Sequence, residues 1–173
     1  MILRYLADAL VIFGCGYLGL HLTSAMDARI RQLENMGKML TQLAFNIEFL
    51  LLPLPEAIKR TTESQQGVVR ALMQHITGLM QAFPHISMGE AWEESVYACK
   101  RNLHLAPEEL SALREFAQHI GQGDSQVASN HIRLTQAKLK LCLEQARAKR
   151  QKDGKLYSGL GFLTGILIVL LLA

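Results

Sequence analysis

Six histidines, three cysteines and a cluster of glutamates are the side chains of this 173-residue chain that could do acid–base, nucleophilic or metal chemistry. Their spacing suits none of the three. His21, His75, His85, His104, His119 and His131 have no histidine three or four positions away, the interval that puts two imidazoles on one helix face to share a metal. Cys15, Cys99 and Cys142 are far apart and follow no C-x-x-C or zinc spacing, so a reduced compartment is expected. Cys99 and Cys142 fall at apolar-face positions and read as small buried hydrophobes. Glu90, Glu93 and Glu94 could pair for proton transfer, but Glu90 follows Ser87 by three residues, the S-x-x-E pattern of a helix capping box. Acidic side chains are also favoured at a helix N-terminus by its partial positive charge. The sequence contains no Walker A, H-E-x-x-H or G-x-S-x-G motif. The expectation is therefore a non-enzymatic protein with no catalytic residue, metal or cofactor. Its binding residues should lie on two charged patches, Glu93 with Glu94, and Arg147, Lys149, Arg150 and Lys152.

The elements that would carry those patches follow from hydropathy. Residues 156–173 read LYSGLGFLTGILIVLLLA, without a charge. As a helix this segment spans about 27 Å, close to a hydrocarbon core of roughly 30 Å. Residues 5–26 form a second, weaker candidate span, interrupted by Asp8 near its outer end and His21 in its inner half. Those two groups lie near opposite membrane interfaces, which fits solvation there better than a proton relay. A cleaved signal peptide competes for the N-terminal segment, but the helical pattern runs unbroken from Met26 into Asp27, Arg29 and Arg31, and retention is favoured. Gly161 and Gly165 make a GxxxG pair that would let membrane helices approach closely.

Basic residues flank both spans on the inner side. Arg29, Arg31 and Lys38 follow the first, and Arg147, Lys149, Arg150, Lys152 and Lys155 precede the second, whereas the outer flanks offer only Arg4 and the α-amino group, so the middle region should be cytoplasmic. The net charge of +3 leaves no nucleic-acid footprint.

The middle reads as six helices. Ile30, Leu33, Gly37, Leu40, Ala44, Ile47 and Leu51 alternate at intervals of three and four, a seam on one helix face that ends before Pro53. Pro55 suits the first turn of a short helix from Leu54 to about Thr62. Val68 to Phe83 carries a third, whose apolar set includes Phe83 itself. A fourth starts at the Ser87 cap and runs to Leu103, with Ala91, Trp92, Ser95, Val96 and Cys99 inward. Pro107 opens a fifth, with Leu110, Leu113, Phe116, Ala117 and Ile120 inward, ending at Gly121 and Gly123. Asp124 or Ser125 caps the sixth, whose apolar face is Val127, Ala128, Ile132, Leu134, Thr135, Leu139, Leu141, Cys142 and Ala146, with a break permitted at Gly154. The fold class is all-α: a six-helix antiparallel bundle over 27–155 between transmembrane helices over 5–26 and 156–173.

Several local strings in this order resemble one family. Leu54–Pro55–Glu56–Ala57, Glu90–Ala91–Trp92, Gly121-x-x-Asp124, His131–Ile132-x-Leu134 and Lys155-x-Tyr157-x-x-Leu160–Gly161–Phe162–Leu163-x-Gly165 look like the pattern of the stage III sporulation protein AB family. Asp8, His21 and Pro53 depart from it. That family is similar to the F-type platform proteins of type II secretion systems. The resemblance implies a scaffold in the channel complex between mother cell and forespore, set in the outer forespore membrane with its bundle in the mother-cell cytoplasm. Implied partners are a cytoplasmic secretion-type ATPase, ring-forming membrane subunits and the lipid membrane itself. A membrane-tethered signalling or adaptor module outside any conduit, self-associating through the seam over 30–51, is the alternative reading.

Overall fold

The computed structural model describes the backbone of residues 2–120 and 125–172 and the side chains of residues 24–120 and 126–153. Within these, the chain forms six α-helices and no strand: α1 (Ile2–Glu48), α2 (Leu54–Ser64), α3 (Gly67–Ala82), α4 (Met88–Cys99), α5 (Pro107–His119) and α6 (Ser125–Leu172). A 3-10 turn, Lys100–Asn102, follows α4. The chain divides into two compact units, Met1–Ile30 with Gln145–Ala173, and Arg31–Glu144. Among the described residues no helix is long and apolar enough to cross a membrane. Residues 5–23 and 156–173, on which the two expected spans rest, lie outside the described side chains, as do Gly161 and Gly165. The cap expected at Asp124 or Ser125 and the stop at Gly121 and Gly123 lie outside them too.

In the unit Arg31–Glu144 the helices end where local chemistry stops them. After Glu48 the Leu50 amide donates to the Phe45 carbonyl and the Leu52 amide to that of Asn46. Leu51 between them takes φ of 52°, the left-handed region that usually falls to glycine at a helix C-terminus. Leu51 is thereby turned out to solvent rather than continuing the seam. Pro55 lies in the first turn of α2, as its fixed φ favours. Gly67 opens α3 with φ of 60°, a conformation that a side chain would strain. Ser87 caps α4: its Oγ accepts from the Glu90 amide at 3.2 Å, while the Ser87 amide donates to the Glu90 carboxylate at 2.9 Å. The carboxylate of Glu109 performs the second half of such a cap on α5, accepting from the Ala106 amide at 2.6 Å.

The core follows the expected stripe of α1 and widens it. Leu33, Leu40 and Ile47 are buried, and Met36, Met39 and Leu43 complete the face. Leu33, Leu40 and Ile47 of the seam are thus taken by the bundle's own core, while Ile30, Gly37 and Ala44 are half-buried. Trp92, Phe116, Leu72, Met73, Ile76 and Leu113 fill the remaining interior. The four methionines Met36, Met39, Met73 and Met88 supply flexible volume where rigid branched side chains would leave gaps. Val96, Cys99 and Leu103 are only half-buried and Phe83 is exposed. Phe83 stands at the C-cap of α3, one residue past the last turn that packs inward.

Two buried amides tie α1 to distant segments. Asn46 Nδ2 donates to Thr61 Oγ1 at 2.9 Å and to the Ala57 carbonyl at 3.3 Å, fixing α1 to α2. The Gln32 side chain donates through Nε2 to the Asn102 carbonyl at 2.7 Å and accepts the His104 amide at 2.8 Å. α4 ends at Cys99 and passes into the 3-10 turn instead of reaching Leu103, and the Gln32 amide satisfies two backbone groups of the segment that follows. Every buried side-chain nitrogen and oxygen among the described residues has a hydrogen-bond partner, as closed polar interiors require.

α6 lies between α1 and α5. Gln136 donates to Thr41 at 3.0 Å, Ser129 donates to Glu48, and Arg133 pairs with Glu48 at 3.5 Å. On the other flank Lys138 pairs with Glu115 at 2.7 Å and the His131 ring stacks on that of His119, centroids 4.9 Å apart. Only part of the expected apolar face of α6 is turned inward. Ala128, Ile132, Thr135, Leu139 and Ala146 are buried and Cys142 is half-buried, whereas Val127, Leu134 and Leu141 are exposed. The inward residues recur at three and four, one helix face; the other three recur at seven and belong to the opposite side. α6 continues past Gly154, where the sequence permits a break.

Candidate interaction surface

The charged residues expected to bind partners sit on two separate elements. Glu93 and Glu94 are exposed on α4, and Glu93 pairs with Arg114 of α5 at 3.2 Å. Beside this pair, Trp92, Val96, Pro107 and Leu110 line an open cleft of about 270 Å³ between α4 and α5. The Glu90 carboxyl, one turn earlier, is held below the usual carboxylate range by the Ser87 backbone amide and then by the Ser87 hydroxyl. Its charge serves the helix start rather than a partner.

Arg147, Lys149, Arg150 and Lys152 are exposed on α6. Arg150 bonds Asp27 of α1 through two nitrogens at 2.8 and 3.2 Å, and that bonding raises its guanidinium pKa further above its ordinary value. The acidic pair belongs to the unit Arg31–Glu144 and the basic stretch to the unit holding both chain ends, so they are two surfaces and not one site.

A third group was not singled out by spacing. Glu115 and His119 on α5 meet His131 and Lys138 on α6. His119 Nδ1 lies 2.7 Å from the Glu115 carbonyl. The hydrogen bond from Lys138, its charge, and the two nearby histidines hold the Glu115 carboxyl low. The members lie 12 to 23 residues apart on two helices, so only the antiparallel packing of α5 and α6 could reveal them. Among the described residues no group of three or more His, Cys, Asp or Glu is placed to hold a metal ion. Burial pushes the Cys99 thiol up, the opposite of what an activated nucleophile needs.

Fold and surface together define an all-helical bundle tied internally by side-chain hydrogen bonds, with Glu93, Glu94 and the cations of α6 exposed. The sequence matches the model of the family "Stage III sporulation protein AB" over residues 4–173, and the chain belongs to that family, one of sporulation proteins rather than of a known enzyme activity. It is 27% identical over 176 residues to stage III sporulation protein AB of Bacillus subtilis (strain 168), covering 98% of this chain and 99% of that one. A solved structure of stage III sporulation protein AB shares the fold, with a TM-score of 0.65 at 22% identity over 72% of this chain and 98% of its own.

Proposed function

We propose that this protein is a non-enzymatic platform subunit of a type II secretion-like channel complex between mother cell and forespore, coupling a cytoplasmic ATPase to the membrane assembly. It is anchored in the outer forespore membrane by helices over 5–26 and 156–173, with the bundle over 27–155 in the mother-cell cytoplasm. The observation that carries this reading is the pairing of Asp27 with Arg150. It joins α1 and α6 side by side where each helix heads into its uncharged segment, as the base of a membrane hairpin would need. The basic residues around it, Arg147, Lys149 and Lys152, favour the cytoplasmic side and anionic headgroups.

Crosslinked affinity purification of the full-length protein from membranes of sporulating cells tests the proposal. Recovery of a secretion-type ATPase together with ring-forming membrane subunits supports the platform role. Recovery of the protein alone from intact membranes refutes it and leaves a tethered adaptor.

A further inference from the structure

We infer that the outer face of α6 is a docking strip for an acidic amphipathic helix of another protein. Val127, Leu134 and Leu141 are 44%, 52% and 60% exposed, and they recur at intervals of seven residues. They therefore form one straight line about 21 Å long on a helix rising about 1.5 Å per residue. The opposite face of the same helix, Ile132, Thr135 and Leu139, is buried in the bundle. A helix apolar on two opposite faces is made to be covered on both. Single exposed leucines need no explanation, but a line of them at coiled-coil spacing has the geometry that a partner helix fits.

The charges beside the strip state what that helix carries. Arg133 and Lys140, seven apart, stand along one margin and Lys138 on the other, against a single acidic side chain of this stretch of α6, Glu144. Arg133 and Lys138 are engaged by Glu48 and Glu115 in ion pairs with well-exposed cations, contacts of little net strength that an incoming carboxylate can share. A second copy of the chain is the poorer occupant. Isologous packing on this line would set Arg133 and Lys140 against the same residues of the mate, and three side chains fall short of the area a stable dimer buries. A helix with leucines on one face and glutamates along its margins satisfies both the strip and its borders.

This inference is independent of the membrane reading. Its test uses the full-length protein in phosphatidylcholine nanodiscs and two labelled helical peptides. Both peptides have leucine at heptad positions a and d; one has glutamate and the other lysine at e and g. Fluorescence anisotropy should show the glutamate peptide binding at least about tenfold more tightly. The double substitution Leu134→Lys with Leu141→Lys should weaken it by about tenfold or more. Both positions are exposed, so thermal melting of the variant should match the parent; the milder Lys140→Glu should narrow the peptide preference without touching an apolar residue. No binding, equal binding of both peptides, or binding indifferent to these substitutions overturns the inference. So does a disulfide-linked dimer formed by Leu134→Cys and absent from the parent, which would make the strip a contact between copies.

Discussion

Replacing Gln32 by glutamate keeps the oxygen that accepts the His104 amide but turns the donor facing the Asn102 carbonyl into a second acceptor. Gln32 is buried, so the loss has two parts. One hydrogen bond disappears, a net of about 1 kcal/mol, and a carboxylate is set against a carbonyl oxygen where water is scarce, about 1–3 kcal/mol more. The ionised variant should therefore be destabilised by about 2–4 kcal/mol. Protonation restores a donor to the Asn102 carbonyl, and burial also disfavours the charge, so the folded-state pKa of the new carboxyl is raised above its unfolded value. A raised pKa means stability that is present at low pH and lost as pH rises through the folded value. The gap from the parent should thus be small near about pH 4 and widen towards about pH 8. Urea unfolding of the full-length protein in mild detergent, followed by circular dichroism across that range, reads it directly. Gln32→Ala gives the pH-independent control. A Gln32→Glu gap that stays flat with pH, or under about 0.5 kcal/mol at about pH 8, would refute a Gln32 clamp that reads both backbone groups.

Other outcomes follow from the same contacts. Asn46→Ala and Thr61→Val should each cost about 1–3 kcal/mol, and the double mutant less than their sum, because both remove the bond between Asn46 and Thr61; additivity in a double-mutant cycle would disprove the coupling. Ser87→Ala should lower stability by about 1 kcal/mol in a denaturant titration. It should also raise the Glu90 carboxyl only in part, because the residue 87 amide still donates to it; since that pKa is depressed in the folded protein, the cap's contribution is present above the unfolded pKa and fades as pH falls, which NMR titration of Glu90 can follow. Trp92→Ala should cost about 3–5 kcal/mol and shift the thermal midpoint accordingly. Lys138→Met should raise the Glu115 carboxyl, again by NMR, because hydrogen bond and charge leave together.

Helix limits were legible where the sequence carries a local stop or start. Pro55, the Ser87–Glu90 box and Pro107 act within one turn of themselves, and the helices begin where they stand. The inner face of α1 was legible through Leu33, Leu40 and Ile47 because a repeat at three and four survives any tertiary arrangement. Gln32 and Asn46 were not, since what they bind lies 11 to 72 residues away and nothing near them in the chain marks a buried amide. On α6 the apolar residues formed two lines, one at three and four and one at seven, and reading them as a single face merged core with surface. Glu93, Glu94 and the α6 cations were legible as exposed charge. That Glu93 engages Arg114 and Arg150 engages Asp27 depended on neighbours supplied by other helices.

That the buried side-chain nitrogens and oxygens of the described residues all have partners bears on how alleles of this gene would sort. Substitutions at Gln32 or Asn46 break hydrogen bonds that tie α1 to other segments, so they should act by lowering the amount of folded protein, be sensitive to growth temperature and be rescued by overexpression. Substitutions on the outer line of α6 leave that interior whole. Such alleles should accumulate to normal levels and, in a cell that also carries the intact copy, interfere with it.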